Sequence, residues 1–496
     1  MNLLEQANQL LSENRLQEAE FHYKSVLETG SHQGEALFGL GRIAMRLEKY
    51  PEAVVLLQQA CQRLPKVLNP LFALADAFDS LQKGKDAFDI LEYCCKIAPH
   101  NSHAFYRLGL HLLIYGHLKQ AQNAFLKGLN CPISDVTPYL YYELAQLDKK
   151  HITTGEIEQL HNLLARTQNL SGQVVLHYTL AKAYHHQGDK NQAMAHYRLA
   201  NSLQAKRCAP FGSDFKHYID DIITTFNADF IADHQDPVQA SFTPVFIIGM
   251  PRSGSTLLER MLCQHQGVAS LGENDSISAK VMAFLSAKTK KPFPHCLTGS
   301  DEQMRAQARQ IYAQEVSKRK LGNAIILNKL PANFQAVGAI KAIFPNAKFI
   351  DMRRSFYPMA WSVFTHYFGA NEAFFCDMDA LTTYYEGYDE LMVHWHNAVK
   401  GSVTTIHYEQ LIEQPEQQLR QLFNWLGLTY TKESLNYHKS RAPVSTLSRH
   451  QVRKPLYNDA NKAYKEYEQA FKECFSRSVQ TSSAHLETDP ASPEGV

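Results

Sequence analysis

Between residues 34 and 101 the chain repeats itself every 34 residues. Leu37, Leu40, Gly41, Ala44, Ala53, Leu57, Ala60 and Pro65 return as Leu71, Leu74, Ala75, Phe78, Ala87, Leu91, Cys94 and Pro99. The register continues into Phe105, Leu108, Gly109, Leu112, Ala121, Phe125 and Gly128, with Pro132 one position early. It also runs back to Leu3, Ala7, Leu10, Ala19, Tyr23 and Val26. A unit this short cannot bury its own apolar face, so neighbouring units must stack into a continuous core. Small residues at the eighth and twentieth positions let helix backbones approach. A further unit at Leu180, Ala181, Tyr184, Ala193, Tyr197 and Ala200 is displaced by four residues, so an irregular pair or an insertion is expected over 135–172.

This pattern resembles the tetratricopeptide repeat, which implies two antiparallel helices per unit packed through those small side chains. Stacked units of that kind present a concave surface, and the resemblance implies a protein or peptide partner bound by the array. The expected layout is a repeat array over 1–204, a helical connector over 205–240 with a helical stretch near Tyr218–Phe230, a second domain over 241–475, and a disordered tail over 476–496, rich in Ser, Thr, Pro and acidic residues.

A chain of 496 residues suits two or three domains. Its formal net charge of +1 gives no support to a nucleic-acid partner, although a local basic site for an anion is compatible with it. The nine cysteines are scattered without C-x-x-C pairing, the pattern of reduced thiols in a cytosolic protein, with no metal site expected. The start is amphipathic and acidic, and no stretch approaches 18 apolar residues. A cytoplasmic protein without a membrane anchor is the expectation.

Chemistry enters at residues 244–258, where the apolar run Pro244-Val245-Phe246-Ile247-Ile248 leads into a small-residue turn and then a helix-like stretch. A strand, a loop and a helix start in that order point several backbone N–H groups, and the positive end of a helix dipole, at one spot. The seat suits a phosphate or a sulfate. Gly249 and Gly254 keep the spacing of the nucleotide-binding G-x-x-x-x-G-K-[ST] loop, but Ser255 stands where Lys belongs and Arg252 arrives from within the turn. A γ-phosphate is therefore not the expected cargo.

Beyond the loop, strands at 323–328, 347–352 and 403–408 alternate with helices near 332–344 and 357–368, which predicts a parallel sheet covered on both faces. Ligands of such sheets sit beyond the carboxyl ends of the strands, which draws attention to Lys329, Arg353 and Arg354.

These residues carry a resemblance. Pro251-Arg252-Ser253-Gly254-Ser255-Thr256-Leu257 resembles the 5′-phosphosulfate loop of sulfotransferases that use 3′-phosphoadenosine-5′-phosphosulfate (PAPS). Phe349-Ile350-Asp351-Met352-Arg353-Arg354, with Ser362 eight residues on, is similar to their 3′-phosphate site. Over about residues 240–470 the chain is similar to protein-tyrosine sulfotransferases and to bacterial proteins that fuse tetratricopeptide repeats to such a domain. The resemblance implies a tetratricopeptide solenoid followed by an α/β domain with a central parallel sheet, the P-loop-like sulfotransferase fold.

It also implies roles. Arg252, Ser253, Gly254, Ser255 and Thr256 hold the phosphosulfate, and Arg252 orients the transferring group. Glu273, in Leu271-Gly272-Glu273-Asn274, corresponds to the general base. Lys329, in Asn328-Lys329-Leu330-Pro331, supplies charge to the sulfuryl or bridging oxygen, with Asn328 where relatives often carry an acid. Ser448 matches a transition-state serine, and the loop after it, with Lys454, closes over the nucleotide. Arg354, Ser362, Tyr408 and Lys462 match further cofactor contacts. No metal is implied, and relatives often pair, so a homodimer is an expectation of the resemblance. His366 departs from the pattern, standing where a second arginine for the 3′-phosphate is expected, and a mostly neutral imidazole predicts weaker or more pH-dependent binding. The implied reaction is sulfuryl transfer to an acceptor hydroxyl, with peptidyl tyrosine first and a saccharide or small phenol as alternatives. A non-catalytic repeat scaffold with a nucleotide-binding domain is the other reading. A phosphoryl-transfer enzyme is disfavoured by the missing loop lysine.

Overall fold

The computed structural model describes residues 2–147, 154–209, 211, 214–234, 241–319, 321–322, 324–369, 372–440, 442–456 and 463–476. Residues 477–496 of the expected tail, and Lys462, lie outside them. The chain divides into two compact units, one of Met1–Ile152 with Arg441–Ser445 and one of Thr153–Ser440 with Thr446–Val496.

The first unit is the in-phase part of the repeat array. Its helices are α1 (Leu3–Ser12), α2 (Leu16–Thr29), α3 (Gln33–Arg46), α4 (Tyr50–Arg63), α5 (Leu68–Ser80), α6 (Gly84–Ile97), α7 (Ser102–Ile114), α8 (Leu118–Leu129) and α9 (Thr137–Leu147). The periodic small residues do the work expected of them: Ala19, Ala53, Ala87 and Ala121 are wholly buried. At Gly109 an added Cβ would lie 2.2 Å from the Phe125 ring, so a helix crossing this close requires glycine. Ala53, Leu57, Leu71, Ala75, Ala87 and Leu91 share one core, as stacking demands.

The second unit begins with α10 (Thr154–Arg166), α11 (Leu170–Gln187) and α12 (Lys190–Ala205), then α13 (Asp214–Thr225) and α14 (Ala228–Ala232). Helices α9 and α10 fill the region where an irregular pair or an insertion was expected, and α13 and α14 fill the connector. The displaced repeat, α11 with α12, packs in the same unit as the sheet. The reason is aromatic: the Tyr197 ring lies 5.7 Å from that of Trp361 and 6.0 Å from that of Phe364, and Asn201 Nδ2 donates to the Phe364 carbonyl at 2.9 Å.

The sheet has five parallel strands in the order β2-β3-β1-β4-β5, namely β1 (Thr243–Gly249), β2 (Val268–Ser270), β3 (Ile325–Lys329), β4 (Lys348–Arg353) and β5 (Val403–His407). Helix α15 (Ser255–Leu262) follows β1, α16 (Ala283–Thr289) and α17 (Glu302–Lys318) precede β3, and α18 (Val337–Ile343) precedes β4. After β4 come α19 (Phe356–Phe364) and α20 (Met378–Ala398), and after β5 come α21 (Tyr408–Glu413), α22 (Pro415–Leu426) and α23 (Glu468–Lys472). Pro244–Gly249 is buried throughout, as a central strand covered on both faces must be. Among the described residues no helix is long and apolar enough to cross a membrane.

Candidate active site

The central strand sets the geometry. β1 pairs with β3 on one side, Ile247 opposite Lys329, and with β4 on the other, Gly249 opposite Met352. Three strand ends therefore open at one edge, and β1 turns there into the 250–254 loop. Gly249 (φ 137°) enters the turn, and a Cβ on it would lie 2.5 Å from the Met352 carbonyl oxygen. Gly254 (φ 103°) leaves it, and a Cβ there would meet the Tyr408 ring at 2.6 Å. Both positions need glycine, and α15 starts at the next residue with its N-terminus turned to the loop.

Arg252 is the centre of the loop. Its backbone is left-handed (φ 66°), and its guanidinium donates through Nε to Ser362 Oγ at 2.9 Å, through Nη1 to Ser448 Oγ at 2.7 Å and through Nη2 to Gln451 Oε1 at 3.1 Å. Three hydroxyl or amide oxygens from two distant segments thus hold one planar fork in a fixed orientation. Arg354 donates to the Arg252 carbonyl at 3.1 Å and lies over the Tyr408 ring, 4.6 Å from its centroid. A cavity opens here with Arg252, Arg354, Ser362, His366, Tyr408 and Ser448 on its wall. Ser253, Ser255 and Thr256 are buried beneath the loop, Thr256 Oγ1 lies 3.3 Å from Thr446 Oγ1, and the buried Ser253 hydroxyl has no hydrogen-bond partner among the described residues.

Next door, at the end of β3, Lys329 is wholly buried and donates to the Glu273 carboxylate. Backbone bonds build this meeting: Leu271 N–H donates to Leu327 O at 2.8 Å and Lys329 N–H to Gly272 O at 2.9 Å, which lays the 271–273 segment against the strand end. Asn328, also wholly buried, donates through Nδ2 to the Asn274 carbonyl at 3.0 Å and pins the other side of that turn. The Glu273 side chain keeps 46% of its surface exposed, so its carboxylate is open to an incoming molecule while Lys329 is not.

Two neighbours of these side chains carried no role in the sequence. Glu259 on α15 is buried, its Oε2 4.0 Å from Lys329 Nζ and its Oε1 accepting from Ser270 Oγ at 2.5 Å. Burial pushes its carboxyl above the ordinary range, against the pull of Lys329. Its signal is an acid four residues after Ser255 on a helix whose neighbours Leu257, Leu258, Met261 and Leu262 are apolar. Gln451, three residues after Ser448, supplies one of the three oxygens on Arg252, and a lone glutamine in a polar loop gives no signal of that.

Other expectations land differently. Arg353, singled out with Arg354 by the strand-end rule, is taken by Asp351 and Asp389, each at 2.7 Å, and is absent from the cavity wall. Lys454 is exposed and off the cavity wall, where its carbonyl accepts from Tyr437. Ser362, expected at a distal phosphate, lines the cavity with its hydroxyl engaged by Arg252.

Residues 244–432 match the profile described as the sulfotransferase family. They form a sulfotransferase-family domain. The chain is 28% identical over 399 residues to an uncharacterized protein of Aquifex aeolicus, covering 78% of this chain and 51% of that one. It is 27% identical over 204 residues to protein-tyrosine sulfotransferase 2 of Gallus gallus, covering 39% of this chain and 54% of that one. The chain thus spans about half the length of these relatives. Among solved structures, the sulfotransferase domain from the Synechococcus PCC 7002 olefin synthase is similar at 18% identity, covering 47% of this chain and 97% of that one with a TM-score of 0.31. Within the sulfotransferase domain, the matched segment contains the loop, Glu273, Lys329, Arg354 and Tyr408, while Ser448 and Gln451 lie beyond its end.

Proposed function

We propose that the protein is a PAPS-dependent sulfotransferase that sulfates an acceptor hydroxyl, peptidyl tyrosine before a saccharide or small phenol. The observation that carries this reading is the pairing, on adjacent strand ends, of an anion seat centred on Arg252 with a lysine-bound carboxylate, Glu273, that is open to solvent. The donor set fits a phosphosulfate: a glycine cradle that a Cβ would fill, a buried Ser253 hydroxyl without a partner among the described residues, and two guanidinium groups.

When bound, PAPS supplies the sulfuryl group: its sulfur bonds to the acceptor oxygen, the bond to the bridging phosphate oxygen breaks, and the electron pair stays on the departing phosphate. The chain's own residues manage charge and protons around that exchange. Glu273 takes the acceptor's hydroxyl proton. Arg252 and Ser448 direct donors at the transferring group, and Lys329 adds a buried positive charge on the leaving side. Tyr408 and Arg354 form a stacked wall that orients the nucleotide. In this reading the repeat array recruits the acceptor or a partner protein, the enzyme works in the cytoplasm, and no metal takes part.

Calorimetric titration with 3′-phosphoadenosine-5′-phosphate (PAP) tests the seat. Loss of several charge-assisted hydrogen bonds predicts that Arg252→Ala binds PAP about 100-fold more weakly. Equal affinity in the two proteins removes the loop from the nucleotide site.

A further inference from the structure

Glu259 sits on α15 one turn after Ser255, so the helix that begins at the anion loop also brings a carboxylate to Lys329. The side chain is buried, and it is absent from the wall of the cavity around Arg252. A buried carboxylate is costly unless it is paired and hydrogen-bonded, and this one is both. Ser270, the last residue of β2, accepts from Gly272 N–H at 2.9 Å, which leaves its own proton for Glu259 Oε1, 2.5 Å away. A hydroxyl comes that close to an acceptor that carries charge, so Oε1 belongs to a carboxylate. The other oxygen, Oε2, lies 4.0 Å from Lys329 Nζ.

Two carboxylates thus flank one ammonium. Lys329 is wholly buried, and its nearer partner, Glu273, is the half-exposed one. In the transfer proposed above, the acceptor's O–H proton ends on Glu273, and the charge it neutralises there is the one Lys329 was paired with. A buried ammonium left without an anion is strongly disfavoured. Glu259 prevents that state: it is held in place by Ser270, and once Glu273 is protonated it leaves a balanced pair with Lys329. Before the transfer the same carboxylate gives the cluster one negative charge in excess, which proton uptake at Glu273 relieves.

We infer that Glu259 is a positioning residue for the transfer, the second carboxylate that keeps the Lys329 ammonium paired and in place while Glu273 takes the acceptor's proton. This rests on the PAPS reading above. It gives α15 two tasks, the anion seat at its first turn and the charge balance of the base and its lysine one turn later, and it assigns Ser270 the part of holding Glu259.

The test is a double-mutant cycle on the full chain, with single-turnover sulfate transfer from PAPS to a tyrosine-containing peptide and calorimetry with PAP on the same preparations. Loss of the second carboxylate predicts that Glu259→Gln lowers the transfer rate about 100-fold while PAP affinity stays that of wild type. In the Lys329→Met background the same substitution changes the already reduced rate less than about twofold, because the ammonium it serves is gone. A rate unchanged by Glu259→Gln, an equal further fall in the Lys329→Met background, or PAP affinity lost in step with the rate overturns the inference. Should Glu259→Gln fail to fold, Ser270→Ala, which releases one oxygen of the same carboxylate, takes its place and is judged by the same cycle. Wild type that transfers no sulfate overturns the PAPS reading itself, a result distinct from failure at Glu259.

Discussion

Replacing Glu273 by glutamine is expected to lower sulfate turnover by about 10²–10⁴-fold while PAP binds almost as in wild type. Glutamine keeps the shape of the side chain, and its carbonyl oxygen still accepts from Lys329, so the ion pair becomes an ordinary hydrogen bond with little movement. What it loses is the capacity to take a proton. The Glu273 side chain is 46% exposed, but its partner Lys329 is wholly buried and keeps only Glu259, at 4.0 Å, as a carboxylate, so the thermal midpoint of the variant should fall while the fold is retained. Rapid-quench turnover and PAP titration on the same preparation separate the two effects. Retained turnover would move the base elsewhere.

Lys329→Met should strike stability harder, together with chemistry. The ammonium is wholly buried between Glu273 and Glu259, and Glu259 is itself buried. Removing the cation leaves the Glu259 carboxylate without its ionic partner, and breaking a buried pair from one side costs about 3–5 kcal/mol. A second change restores the balance: Glu259→Gln in the Lys329→Met background should recover most of the lost stability, because the remaining amide can still accept from Ser270. Turnover should not return with it, since the positive charge on the leaving side stays absent. Denaturant unfolding with single-turnover kinetics reads both arms of this cycle. Recovery of both stability and turnover in the double variant would make Lys329 a packing residue.

The pattern of success in reading the chain follows the range over which each signal acts. The repeat helices α1 to α8 were legible because 34-residue spacing is a local rule repeated, with Ala19, Ala53, Ala87 and Ala121 marking each crossing. The strand, loop and helix around Arg252 were legible for the same reason. Partners from far along the chain were not. Arg353 ends an apolar strand just as Arg354 does, and only the fold brings Asp389, 36 residues on, to neutralise it. Glu259 reads as one acid on an amphipathic helix until β3 places Lys329 beside it. The displaced phase of α11 and α12 was visible, yet its cause was not: Tyr197 and Asn201 look like ordinary repeat residues and serve as the docking face for α19.

The most direct measurement of the central claim is transfer of labelled sulfate from PAPS to a tyrosine-containing peptide, with release of PAP followed in the same reaction. The account predicts one PAP released per sulfate on the tyrosine hydroxyl, abolished or nearly so in Glu273→Gln and Arg252→Ala. Tight PAP binding without transfer of label to the peptide, or to any hydroxyl acceptor in a cell lysate, would contradict it.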